Sequence, residues 1–383
     1  HRRQRGTLSQ WQGRLHYLMD HKRSSEGANK QREEKHSKED DISEVLFKRL
    51  MAKLLRRKLC AKMASSRTNN PPTKDSKETE TDVGSIGWKQ ASVHVVAEKI
   101  RSAKSVVVLT GAGVSMASGV PTYNDGTWSA SKDSVPSEDI FTTKMFGANP
   151  LKCWKHYVNL HFKCKEARPN EAHGAIAKLE KIVNARRGKF TVISQNIDGL
   201  HLKAGSSPFE IHGNLNYVRC FDKTCKGSDT LFPFPYHERP PKGRVELPIC
   251  KVCRKSPLRP SVLFFDECYD EDIYGAYSSM SAVMDADILI VTGTEGIISL
   301  PLKLISVAAE QKIDIIDINP VFNEDLIDML GCLRVPHDRL WWVKESAETA
   351  FPVINEELTG TKDSIRKLKT KLRIKSILKG LHY

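Results

Sequence analysis

Four short, β-rich apolar runs recur along the chain: "SVVVLT" (105–110), "KFTVIS" (189–194), "ADILIVTG" (286–293) and "KIDIIDIN" (312–319). Helical patterns alternate with them: "ASVHVVAEKIRSA" before the first, "AHGAIAKLEKIVNARR" between the first two, and "LPLKLISVAAEQ" between the last two. Strands that alternate with helices in this way predict an α/β fold built on a doubly wound, parallel sheet. Ligands of such sheets bind outside the carboxyl ends of the strands, so the loops that follow the runs are where function is expected.

The segments around this body are of a different kind. Residues 1–85 carry 20 Lys+Arg against 12 Asp+Glu and residues 361–383 carry 8 against 1, which leaves the middle of the 383-residue chain near neutral despite a net charge of +14. Residues 1–40 are polar and predicted to be disordered. In 42–63, Ile42, Val45, Leu46, Leu50, Leu54 and Leu55 recur at helical spacing among Lys and Arg. That pattern is an amphipathic helix serving a partner, solvent, a membrane surface or DNA. "SSRTNNPPTKDSKETETDVGS" reads as a linker. The expected organisation is a basic tail over 1–85, a folded body over 86–350 and a basic tail over 351–383. No run of 18 apolar residues occurs, so no span of a membrane is predicted.

One insertion interrupts the rhythm, at about 216–262, and it holds two cysteine pairs: Cys220-x4-Cys225 and Cys250-x2-Cys253. Two such knuckles close a tetrahedral site, and four thiolates leave no position for water, so the expected ion is a structural zinc. The nine cysteines are too sparse for a disulfide scaffold and fit a reducing, intracellular setting.

Two loops carry candidate chemistry. "GAGVSMASG" follows the first run, with Gly111 and Gly113 suited to a tight turn at a pyrophosphate. The full GxGxxG pattern is absent, because Met116 holds its third glycine position. "ISQNIDGLHLKAG" and "EIHGN" follow the second run and bring Asn196, Asp198, His201 and His212 toward the same crevice. A histidine beside glycine in such a loop is a candidate general base.

In order along the chain, "GAGVSMASGVP", "PNEAH", "QNIDGLH", "IHG", the paired cysteines, "LRPSVLFFDE", "TGT" and "IN" resemble the sirtuins, NAD-dependent protein lysine deacylases. The resemblance covers roughly 90–350. It implies a Rossmann-type NAD domain joined to a smaller zinc module, with NAD and an acyl-lysine peptide meeting in the cleft between them. By position, Gly111, Ala112, Gly113 and Ser115 would hold the NAD phosphates, and Gln195 and Asn196 would line the ribose pocket. Tyr123 would shield the reactive ribose, while Ile197 and Asp198 would meet the nicotinamide carboxamide. Gly293, Thr294 and Asn319 would reach the adenosine side, and the four cysteines would carry zinc. His212 matches the catalytic histidine, with Asn196 beside it as a second catalytic residue. The implied reaction consumes NAD and yields nicotinamide, free lysine and O-acyl-ADP-ribose.

This chain departs from the family pattern in several places. "GVPTYN" stands where GIPDFR is usual, so Thr122 and Asn124 replace an acid and a guanidinium. Glu295 occupies a small-hydroxyl position, and Asp266 replaces a glycine in "FDE". Tyr157 has Leu160 where succinyl- and malonyl-removing members carry Arg, which favours a neutral acyl group. His173 is expected to be structural. ADP-ribosyl transfer, NAD hydrolysis and non-catalytic NAD or ADP-ribose binding are the competing readings. The basic tails suit chromatin or nucleic acid, with the nucleus ahead of the cytosol or mitochondrion.

Overall fold

The computed structural model describes residues 88–120, 140–241, 244–294, 299–323, 326, 330, 339–360 and 370. The basic tail over 1–85, with its expected helix at 42–63, lies outside them, as do Thr122, Tyr123, Asn124 and Glu295. The chain divides into two units, Gly87–Glu324 with Val335–Tyr383, and His1–Ile86 with Asp325–Arg334. Of the latter, only Leu326 and Leu330 are described, both helical and buried.

The former unit opens with strand Lys89–Gln90 (β1) and helix Val93–Ser102 (α1). Strand Ser105–Thr110 (β2) is buried along its whole length, as a central strand with an apolar middle between two sheet neighbours must be, and runs into a 3-10 helix, Ala112–Ser118. Helices Thr143–Ala148 (α2), Pro150–Glu166 (α3) and Glu171–Ala185 (α4) lead to strand Lys189–Ser194 (β3). Helix Leu200–Ala204 (α5) and strands Phe209–Glu210 (β4), Gly213–Cys220 (β5), Phe232–Pro233 (β6) and Leu258–Val262 (β7) follow. Helices Glu271–Tyr274 (α6) and Ala276–Met284 (α7) precede strand Ile288–Thr292 (β8), helix Ser299–Glu310 (α8) and strand Asp314–Ile318 (β9). Strand Leu340–Val343 (β10) and helix Ala347–Thr359 (α9) complete the order.

Seven strands make a parallel sheet in the order β1-β10-β9-β8-β2-β3-β4. The chain moves outward from β2 through β3 to β4, returns to the middle at β8, and moves out the other way. The order therefore reverses between β2 and β8, which is where open α/β sheets bind ligands. Thr110 pairs with both Ser194 and Thr292, so the three strands end level and their loops open on one edge.

A second, antiparallel sheet in the order β6-β5-β7 carries the cysteines. Each sheet has its own core. Val96, Ile100, Val108, Ile176, Phe351 and Ile354 fill one, and Phe146, Trp154, Tyr157, Leu215, Val218 and Phe264 the other.

Two boundaries differ from expectation. The tail assigned to 351–383 begins inside α9, where Phe351 and Ile354 are fully buried against the large sheet. Pro352 and nearby acidic residues disguise that helix in the sequence, although the spacing of Ala350, Phe351 and Ile354 is helical. Residues 124–150 read in the sequence as an irregular loop, yet α2 forms within them, and the Thr142 hydroxyl at its start accepts from the Met145 N–H at 3.0 Å. Among the described residues no helix is long and apolar enough to cross a membrane.

Candidate active site

The loops at the switch point interlock. Gly111 donates its N–H to the Thr292 carbonyl at 3.1 Å, and Gly113 donates to the Gly293 carbonyl at 2.8 Å. A Cβ at Gly111 would lie 2.4 Å from Thr294 Cβ, and one at Gly113 would lie 2.8 Å from Gly293 Cα. Close packing of two loops is what requires glycine here. These two amides bond within the protein and so shape the turn. The Asn319 side-chain oxygen accepts from the Gly293 N–H at 2.8 Å, and Gln195 Nε2 donates to Thr294 Oγ1 at 2.9 Å. Gly111, Gly113, Gln195, Gly293, Thr294 and Asn319 thus form one continuous rim, with Ala112 beginning the helix between the two glycines.

Beneath the rim lies a buried polar floor. The Ser115 hydroxyl donates to Asp198 Oδ2 at 2.7 Å and accepts from Asn196 Nδ2 at 3.0 Å. His173 Nε2 lies 3.4 Å from the same oxygen. On its other nitrogen, His173 Nδ1 accepts from the Asn170 N–H at 3.3 Å, completing a capping box at the start of α4. Nδ1 also lies 3.1 Å from the Asn170 side-chain oxygen, so the ring ties the start of α4 to the floor through both of its nitrogens. The serine oxygen gives its proton to Asp198 and receives one from Asn196, with the His173 ring beside it. Burial pushes the Asp198 carboxyl up, opposed by the Leu200 N–H and the Ser115 hydroxyl. Burial pushes His173 down to about 4 and keeps it neutral. Ile197 is half-buried beside this floor, its carbonyl fixed by the Leu215 N–H at 2.9 Å.

His212 stands two residues past β4 and one before β5. Gly213 follows at φ +81°, and a Cβ there would meet the Ser261 carbonyl at 2.1 Å, so only glycine lets β5 pair with β7 at this point. The pairing continues to Leu263, whose N–H donates to the His212 carbonyl at 2.9 Å. His212 Nδ1 lies 2.8 Å from the Gln195 carbonyl, and Nε2 lies 3.0 Å from the Tyr269 hydroxyl. A carbonyl can only accept, so Nδ1 carries the proton and Nε2 is the basic nitrogen. Burial pushes this imidazole down to about 4, against the pull of the Gln195 carbonyl, and it rests neutral near pH 7.

The four cysteines converge as spacing predicts. Their sulfurs all lie within 4.8 Å of one another, with Cys220–Cys253 at 3.8 Å and Cys225–Cys250 at 3.9 Å. Tetrahedral zinc with Zn–S bonds of about 2.3 Å needs sulfurs about 3.8 Å apart, so the set fits the ion. Backbone N–H groups of Gly227, Val252 and Ser256 donate to Cys225, Cys250 and Cys253 at 3.3–3.4 Å, as suits thiolates. Nearby, the buried Arg259 binds Glu267 through two bonds of 2.6 and 2.8 Å and lies over the Phe264 ring at 3.5 Å.

A nucleotide-type sheet whose switch point carries a glycine turn and a neutral histidine base, beside a four-thiolate module, defines a Rossmann-type enzyme with structural metal. A Sir2 family model matches residues 111–299. An NAD-dependent protein deacylase of Thermus thermophilus is 35% identical over 227 residues, which span 58% of this chain and 82% of that protein. A solved Sir2 homologue–NAD complex is 29% identical with a TM-score of 0.57, over 74% of this chain and 98% of that one. A mutant Sir2 homologue bound to 2'-O-acetyl-ADP-ribose is 30% identical with a TM-score of 0.55, over 72% and 97%. The chain belongs to the Sir2 family.

Three features of the site escaped the sequence. His173, expected to be structural, is so, but its Nε2 also reaches Ser115. Thr110 Oγ1 lies 3.0 Å from His201 Nε2, beneath the glycine turn. Asp266, the replacement for glycine, accepts from the Thr143 N–H at 2.7 Å and the Thr143 hydroxyl at 2.6 Å, and so caps α2. A short polar residue ahead of a helix signals such a cap only when both are neighbours in sequence; these are not.

Proposed function

We propose that this protein is an NAD-dependent protein lysine deacylase, which transfers the acyl group of a modified lysine to the ADP-ribose part of NAD and releases nicotinamide. The observation that carries the reading is the tautomer of His212. Its Nδ1–H is held by the Gln195 carbonyl, and its basic Nε2 faces away from that loop. A base of this kind takes the proton of a ribose hydroxyl as that oxygen attacks the acyl carbon.

NAD supplies a ribose bearing a good leaving group, and the remaining chemistry falls to the chain. The rim of Gly111, Gly113, Gln195, Gly293, Thr294 and Asn319 holds the loops rigid at the switch point. The Ser115–Asp198–Asn196 floor fixes polar groups beneath them without reorganisation. Four thiolates leave no open position on zinc, so its role is to hold the β6-β5-β7 sheet together and no step uses it.

Tyr157 is fully buried with its hydroxyl on the Ile140 carbonyl at 3.2 Å, and Leu160 is buried four positions before Cys164. No cation of α3 stands there to meet an acyl carboxylate, which supports an acetyl or longer neutral acyl group. The basic ends add a second partner to the reading, a polyanion such as chromatin DNA, testable as salt-dependent binding that truncation of 1–85 and 361–383 abolishes.

Incubation with NAD and an acetyl-lysine peptide, followed by mass spectrometry, tests the activity. O-acetyl-ADP-ribose and free lysine are the expected products, and His212→Ala is expected to abolish both. ADP-ribose without peptide deacylation would contradict the proposal.

A further inference from the structure

His212 has one basic lone pair, and Tyr269 is already on it. The Gln195 carbonyl at 2.8 Å fixes the proton on Nδ1, so the phenol 3.0 Å from Nε2 must be the donor of that second bond. The two rings stand 5.9 Å apart, inclined at 39°, so the contact runs through the hydroxyl and not through stacking.

The backbone beside Tyr269 is pinned on both sides. Two residues before it, Glu267 is bound to Arg259 and accepts from the Phe264 N–H at 3.0 Å. One residue after it, Asp270 caps α6 by accepting from the Ile273 N–H at 2.8 Å. Tyr269 itself is half-buried, at the edge of the site rather than in its core.

We propose that Tyr269 is a positioning residue of the deacylation step: its hydroxyl orients the His212 imidazole and masks Nε2 until a ribose hydroxyl displaces it. The inference rests on the deacylase reading and deepens it. In the step concerned, the ribose O–H bond breaks and its proton passes to Nε2, while the oxygen adds to the acyl carbon of the ribose-linked imidate and the π pair of its C=N bond moves to the lysine nitrogen. Tyr269 keeps its own proton and swings aside. An in-plane lone pair accepts one strong hydrogen bond, so the phenol and the ribose hydroxyl compete for it.

Tyr269→Phe separates this role from a structural one, because it removes the hydroxyl and keeps the ring. Cleavage of nicotinamide precedes the use of His212, and its reversal is read as uptake of labelled nicotinamide into NAD. The masking role predicts that the ratio of deacylation to this exchange rises between about twofold and tenfold, the weight of one hydrogen bond. An unchanged ratio, or one that falls because the phenol relays the proton, overturns it. A second readout needs no turnover. The His212 imidazole, assigned in NMR spectra by its loss in His212→Gln, should titrate at higher pH in Tyr269→Phe, because a donor to the neutral nitrogen has been lost. An unchanged titration overturns the proposal whatever the activity. A wild-type protein that performs neither exchange nor deacylation instead defeats the deacylase reading, and the titration still decides the role of Tyr269.

Discussion

The Ser115 hydroxyl and the Asp198 carboxylate meet 2.7 Å apart beneath the nucleotide crevice, joining the helix after β2 to the loop after β3. Each is nearly inaccessible, at 1% and 3% exposure, so neither has water to fall back on. Ser115→Ala would strip Asp198 of a donor and leave the Asn196 amide without its acceptor. The expected cost is about 1–3 kcal/mol in chemical denaturation, together with weaker NAD binding by calorimetry. Unchanged affinity for NAD would place this floor outside the binding site.

Arg259 and Glu267 form a buried ion pair behind the segment that carries Tyr269. Burial raises the Glu267 carboxyl, but the Arg259 charge and hydrogen bonds outweigh it and the net shift is down. A depressed carboxyl stabilises the fold above the unfolded-state value, and that contribution is lost as pH falls through the folded value. Glu267→Gln should cost about 3–5 kcal/mol at neutral pH, because Arg259 remains buried without its counter-charge. It should also remove one source of acid sensitivity, visible as a flatter stability curve below the usual carboxylate range.

Asp317 behaves in the opposite sense. It lies in β9 at 1% exposure, and burial pushes its carboxyl up to about 7, opposed by the Asn319 amide. A raised folded value means that stability is fully present at acid pH and declines as pH rises from about 4 toward 7. Asp317→Asn keeps a neutral amide in the same place and should flatten that decline in thermal melts across the range. A steeper decline in the variant would mean that the site stabilises the carboxylate.

Metal removal should act on the smaller sheet and leave the larger one standing, because the two have separate cores. One zinc per chain is expected by elemental analysis, absent in Cys250→Ser. Amide exchange should then quicken over 213–262 and stay slow in β2, β3 and β8. Full activity and unchanged exchange after chelation would contradict a structural ion.

The large sheet and the cysteine site were legible because their signals are local. Val- and Ile-rich runs define β2, β3, β8 and β9, and four cysteines at knuckle spacing define the thiolate cluster. β1 and β10 were not legible, being two and four residues long and anchored by pairing, β10 on β9 and β1 on β10. The inward turn of the Gly111 and Gly113 amides was hidden too, since their partners lie some 180 residues away in sequence. Tyr269 is the sharpest case. Nothing in "FFDECYD" marks it, and only the fold carries its hydroxyl to a histidine 57 positions earlier.

The central claim is that one cleft couples loss of nicotinamide to removal of an acyl group from lysine. The most direct test is the ratio of nicotinamide released to peptide deacylated, followed together by chromatography with saturating NAD. The account predicts a constant one-to-one ratio in steady turnover by the wild-type protein, and no steady release of either product in His212→Ala, which keeps only the reversible nicotinamide exchange that precedes the use of His212. Nicotinamide released while the peptide keeps its acyl group would contradict it.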